Sequence, residues 1–303
     1  MTESYTSERI DSCLMADRPE DLPENICDNL YIMQDSAAYD SGRWEIDPVD
    51  FDAACRMIAE NGRQLDGIGT LAEKSVHAAL KIACEPGAVR EAQIGGFIAD
   101  AVGEHGIIEI QTRGFGKMKD KLTAFLEVAP VTVVWPCCEI LWLRSVDPDT
   151  GESISRRKSP KRQRPVDVFA ELYPIRGLIA HPNFHLKVVS LEAEQIRLKL
   201  GKDSAVQLKR RKRRWPAKFE KLDKIPVRML GQISVDDIDG WRQFSGIPAE
   251  MMPENFTARQ LAELLGISDS TARMMLACLG ELEITQKVGK RGNAYIYKML
   301  NKP

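Results

Sequence analysis

Asp100 lies inside the strand-like run Phe97-Ile-Ala-Asp-Ala-Val102, and Glu109 inside the next, Ile107-Ile-Glu-Ile-Gln111. A tight turn through residues 103–106 folds the two runs into a hairpin and sets the carboxylates side by side. Glu109 and Gln111 are two apart, so they project from one face of their strand. Carboxylates that converge among apolar neighbours are costly unless a proton or a cation compensates them. A hard divalent ion with oxygen ligands meets that need. Glu73, on a predicted upstream helix, is placed to add a third carboxylate. The same pattern also fits an exposed hairpin residue at position 100 and the solvent face of a half-buried strand at 109 and 111.

The surrounding sequence supplies elements to hold these groups. Residues 48–61 open with Asp47-Pro48 and place Phe51, Ala54, Cys55, Ile58 and Ala59 on one helical face. After Gly67-Ile-Gly69, Thr70 is the expected cap of a second helix running to about Cys84, with Glu73 completing a capping box. His77 follows Glu73 by four residues on one face of that helix, so it is placed to border the site or else is simply part of that surface. Short strands are expected at 92–94, 97–102 and 107–111, then a helix over 117–127. Val131–Trp135 is a β-branched run that reads as a buried strand. A hairpin at 140–156, a helix at 166–179 and a strand at 185–191 follow.

This order resembles the PD-(D/E)XK nuclease superfamily over roughly residues 70–190. The resemblance implies an α/β (α+β) fold, restriction-endonuclease-like, with a central mixed sheet flanked by helices. It implies that Asp100 and Glu109 bind magnesium or manganese, that the Ile110 carbonyl completes the ligand set, and that Glu73 assists through a water. The reaction implied is phosphodiester hydrolysis. Gln111 stands where the superfamily motif has Lys. Some members work with Gln there, some have lost activity, and some recruit a Lys from the following helix; Lys117, Lys119 and Lys121 are placed for that role. Arg113, Lys117 and Lys119 are expected to contact phosphate.

The C-terminal segment has a different pattern. Thr257 caps a helix with Leu261, Leu264 and Leu265 apolar, Gly266-Ile-Ser268 turns, and Ser268 caps a second helix with Ala272, Met275, Leu276 and Leu279 inward. Two strands follow, with Gly289-Lys-Arg-Gly-Asn293 between them. The order resembles a winged helix-turn-helix, which implies a helix in a DNA groove and a basic wing on phosphate, through Arg273, Lys287, Lys290 and Arg291. A protein-binding winged helix fits the same pattern.

Composition sets the bounds. The chain has 303 residues and a net charge of −2. Its seven cysteines show no C-x-x-C spacing, which suggests neither a disulfide framework nor a zinc site. No apolar run is long enough to span a membrane and no secretory signal is evident, so a cytoplasmic protein is expected. The charge is unevenly spread: residues 1–60 carry fifteen acidic residues against four arginines, while 155–164 and 209–214 are strongly basic. The organisation expected is an acidic, loosely packed leader over 1–45, a nuclease-like domain over 46–200, a basic connector over 201–252 and a winged helix over 253–303. The expected partner is double-stranded or branched DNA, with a homodimer plausible. The alternative is a non-catalytic DNA-binding regulator built on a degenerate nuclease fold.

Overall fold

The computed structural model describes residues 44–64, 74–85, 87–148, 150–200 and 219–300. Glu73, the Thr70 cap, nearly all of the acidic leader and the 209–214 basic run lie outside the described residues. Helix α1 spans Pro48–Gln64 and α2 spans Ser75–Ala83. Strands β1 (Val89–Ile94), β2 (Phe97–Gly103) and β3 (Gly106–Ile110) follow. A 3-10 turn at Phe115–Met118 leads into α3, Lys119–Leu126. Then come β4 (Val131–Val146), β5 (Ser153–Lys158), α4 (Phe169–Leu172), β6 (Phe184–Lys199) and β7 (Phe219–Val235).

These strands form one mixed sheet in the order β1-β2-β3-β4-β6-β7, with β5 on the distal half of β4. β3, β4 and β6 run parallel, and the other pairings are antiparallel. Both faces of the sheet are covered. Val131, Val133 and Trp135 of β4 pack with Leu122 and Phe125 of α3 on one face. Val134 packs with Phe51 of α1 and Val76 and Leu80 of α2 on the other. This two-sided burial explains why the start of β4 is continuously apolar rather than alternating.

β4 is far longer than the run at 131–135 suggests, because it continues through Pro136 into the next hairpin. Proline lacks an N–H, so a central strand tolerates it only where no partner needs that donor. Val134 accepts from Gln111 on the β3 side, and Pro136 shares its orientation, but β3 has ended there. Two residues on, the Gln163 side chain accepts the Cys138 N–H at 2.9 Å, and the Gln163 N–H reaches the Cys138 carbonyl. The gap between β3 and β5 is thus closed by a loop.

Three expectations are corrected. α2 starts at Ser75 after an extended Lys74, and its first N–H meets Asp223 of β7 at 3.3 Å rather than a local cap. The segment expected as a helix over 166–179 is a succession of short 3-10 and α turns around Pro174. The region expected as a strand–helix connector does hold a strand and then a helix, but the strand, β7, is a full member of the sheet, paired along β6.

After β7, α5 (Ile238–Ser245) packs Trp241 and Phe244 against Phe169. Strand β8 (Phe256–Thr257), α6 (Ala258–Leu265), α7 (Asp269–Glu281), β9 (Thr285–Arg291) and β10 (Ala294–Met299) complete the chain. β10 lies between β8 and β9. Thr257 is the expected cap of α6 and forms a capping box with Gln260, and Ser268 caps α7. Gly266 ends α6 at φ +60°, a conformation that favours glycine. Ala272, Met275, Leu276 and Leu279 are all buried. Among the described residues no helix is long and apolar enough to cross a membrane.

Candidate active site

The hairpin brings Asp100 and Glu109 together. β2 and β3 pair from Gly103–Gly106 back to Ala101–Ile108, and one more step sets Asp100 opposite Glu109. There the backbone ladder stops and side chains replace it. Asp100 Oδ2 accepts the Ile110 N–H at 2.8 Å, and Glu109 Oε1 accepts the Asp100 N–H at 3.2 Å. β2 also rotates at this point: Ala99 packs in one core cluster and Ala101 in the other, although residues two apart normally share a face. The N–H and C=O of one extended residue point to the same side of a strand. The Ile110 carbonyl is therefore turned toward the same opening as its N–H.

Each carboxylate also meets a basic side chain, from opposite layers. His77 Nε2 of α2 lies 3.2 Å from Asp100 Oδ2, and Lys121 Nζ of α3 donates to Glu109 Oε2 at 2.7 Å. Burial raises the Asp100 pKa, but the hydrogen bond and charge of His77, the Ile110 N–H and the Lys121 charge together hold it below its usual value. Glu109 goes the other way. Burial first, and then the charge of Asp100, push it up to about 7 against the pull of Lys121. The side chain of Glu109 is only 6% exposed, whereas that of Asp100 is 20% exposed.

The donor set fits a hard divalent cation. It offers two carboxylates and a backbone carbonyl, all oxygen. The Glu109 pKa is raised first by burial and then by the Asp100 charge, and a bound cation would offset both. Among the described residues no group of three or more His, Cys, Asp or Glu side chains forms a metal cluster. The fit therefore rests on the two carboxylates and the carbonyl.

Other expected residues are less closely engaged. Gln111 follows β3 directly, and its N–H holds the Val134 carbonyl. Arg113, Lys117 and Lys119 are exposed around the turn into α3. Of the lysines on that helical stretch, Lys121 reaches the carboxylates. His77, read either as bordering the site or as surface, is a direct neighbour of Asp100. Its position one turn past Glu73 was the available signal, but the pairing depends on how α2 lies across β2. In the C-terminal unit Arg273 is exposed and paired with Asp269. Lys287 and Lys290 stand over the Tyr295 ring at 3.8 and 4.6 Å, and Arg291 is exposed at the end of β9.

The fold and the site define an α+β protein whose central mixed sheet, flanked by helices, carries a buried carboxylate pair where two of its strands part. The chain belongs to the family described as "Domain of unknown function (DUF8091)", whose model matches residues 74–236. That match runs from the residue before α2 to the end of β7, so it takes in the whole sheet and the site. A protein of Treponema pallidum (strain Nichols), with the printed name "Uncharacterized protein", is 33% identical over 133 residues, which is 43% of this chain and 53% of that protein. The chain thus spans about half the length of the curated relative it matches. No solved structure matches the chain.

Proposed function

We propose that this protein is a metal-dependent DNA endonuclease of the PD-(D/E)XK type, positioned on DNA by a C-terminal winged helix. The observation that carries this reading is the convergence of Asp100 and Glu109 at the parting of β2 and β3, with Lys121 2.7 Å from Glu109. In this reading Asp100, Glu109 and the Ile110 carbonyl hold magnesium or manganese. The bound metal supplies Lewis-acid polarisation of the phosphate and a lowered pKa for an attacking water. Lys121 takes the place that Gln111 leaves open in the motif. Its ammonium, held at the carboxylate pair, is placed to orient the water and to offset charge developing on the phosphate. Gln111 adds a neutral hydrogen-bonding group beside it, and Arg113 a cation for the scissile strand. Glu73 keeps its proposed role as a water-mediated helper.

The two helices and the β9–β10 ribbon support the DNA-positioning part. α7 presents Ser270 and Arg273 outward, and the ribbon carries Lys287, Lys290 and Arg291. Cutting both strands of a duplex takes two such sites, so a homodimer on DNA belongs to the proposal, as does a cytoplasmic setting. The regulator alternative draws on one observation: both carboxylates are already paired with protein bases, as expected of a site that has ceased to need metal.

The test is cleavage of supercoiled plasmid, branched DNA and single strands with magnesium, with manganese and with chelator. Wild type is run beside Asp100→Ala and Glu109→Ala. Cleavage that needs metal and is lost in both variants supports the nuclease. Tight DNA binding with no cleavage of any substrate sinks it in favour of the regulator.

A further inference from the structure

The basic stretch at the end of β5 splits between the two faces of the sheet. Arg156 is already spent: it stacks on the Trp142 ring at 4.1 Å and donates to Glu194 at 2.6 Å, which also pairs with Arg144 at 2.9 Å. Arg157 projects to the other face. There Ser145 of β4 stands opposite Ser155 of β5 on one side and Arg197 of β6 on the other, and Arg197 stands opposite Lys221 of β7. Residues directly opposed across strands share a face. Ser155, Ser145, Arg197 and Lys221 thus make a row across four strands, with Arg157 one pleat away.

Arg197 donates from Nη2 to Ser145 Oγ at 3.2 Å and stacks on the Phe219 ring at 4.3 Å. Its Nε is buried and has no hydrogen-bond partner among the described residues. Burial, and then the like charge of Arg157, lower its pKa. Asp223 is near along β7, but its carboxylate is taken by Ser75 and by the Lys224 N–H. No carboxylate pairs with Arg157 or Arg197 among the described residues. Among the described residues a buried guanidinium N–H without an acceptor stands beside a second guanidinium and two hydroxyls, a donor set that suits an anion.

We propose that Arg157 and Arg197, the latter held by Ser145, bind with Ser155 and Lys221 a backbone phosphate of double-stranded DNA. A backbone phosphate is the anion that the nucleic-acid reading supplies, and the site lies at the far end of β4 from the carboxylate pair. Arginine suits the role because its planar fork takes two phosphate oxygens at once. This inference rests on the nucleic-acid reading given above.

The test uses the full chain and a fluorescein-labelled duplex of about 30 base pairs. Anisotropy is read in chelator across a salt series, and cleavage is read in parallel with magnesium. Arg157→Gln, an exposed site with no partner among the described residues, and Arg197→Gln should each weaken binding several-fold and lower the salt slope by about one. Arg156→Gln, on the opposite face, should leave the slope unchanged. If the chain cleaves DNA but Arg157→Gln and Arg197→Gln bind as wild type does, the phosphate site is overturned and the nuclease stands. If both substitutions weaken binding but no substrate is cut, the phosphate site stands and the nuclease falls. Absence of duplex binding by wild type overturns both.

Discussion

Glu109 accepts the backbone N–H of Asp100, and this bond takes the place of the strand ladder where β2 parts from β3. The carboxylates are therefore part of the sheet's hydrogen bonding as well as its chemistry. The Asp100 side chain likewise satisfies the Ile110 N–H. Asp100→Ala should cost about 1–3 kcal/mol by orphaning that donor, besides abolishing cleavage. Asp100→Asn, which keeps an acceptor oxygen, should lose activity with a smaller drop in Tm. Equal Tm for the two variants would deny the structural role.

Glu109 gives the metal-free protein a characteristic pH response. Its folded-state pKa is raised to about 7, first by burial and then by Asp100. A raised carboxyl pKa means the folded state resists ionisation, so stability falls as pH rises from the ordinary Glu range and levels off above about 7. The lowered Asp100 pKa contributes in the opposite sense, and only below its own ordinary value, outside this window. In chelator, the Tm advantage of Glu109→Gln over wild type should grow from pH 5 to 7 and then stay constant. A constant difference across that range would contradict the buried, Asp100-coupled placement.

Lys121 should separate from its neighbours in kinetics. It is bonded to Glu109, whereas Lys117 and Lys119 are exposed. Lys121→Met should lower the cleavage rate by about a hundredfold or more with little change in DNA affinity. Lys117→Met and Lys119→Met should raise KM and leave kcat nearly unchanged. The reverse pattern would assign the chemistry to a different lysine.

The β9–β10 ribbon is predicted to lie on phosphate. Lys290→Glu with Arg291→Glu should weaken duplex binding and flatten its salt dependence by about two. Tyr295→Ala, which removes the ring beneath Lys287 and Lys290, should weaken binding less. Anisotropy at several salt concentrations reads both. Unchanged binding would take the ribbon out of the interface.

Gly106 holds the turn that registers the carboxylate pair. Its φ is +94°, and a Cβ there would run into the Pro130 carbonyl oxygen, which accepts the Ile107 N–H. Gly106→Ala should cost well over 1 kcal/mol. Gly95, at φ +53° in the preceding turn, has open space around it, so Gly95→Ala carries conformational strain alone. A smaller Tm loss for Gly106→Ala than for Gly95→Ala would overturn this account.

Local chemistry made much of this protein legible in its sequence. Strand alternation, the turn through residues 103–106 and the eight residues that separate them placed Asp100 and Glu109 on neighbouring strands. Thr257, Gly266 and Ser268 marked the C-terminal helices, because caps and left-handed turns depend on a few adjacent residues. Tertiary packing decided the rest. β7 pairs with β6 along its length, which no local pattern in its charged sequence announces. His77 and Lys121 reach the carboxylates from opposite layers only because α2 and α3 pack on opposite faces of the sheet. Which arginine of a basic run is neutralised and which is left with its charge depends on strand register, and register is set by the whole sheet.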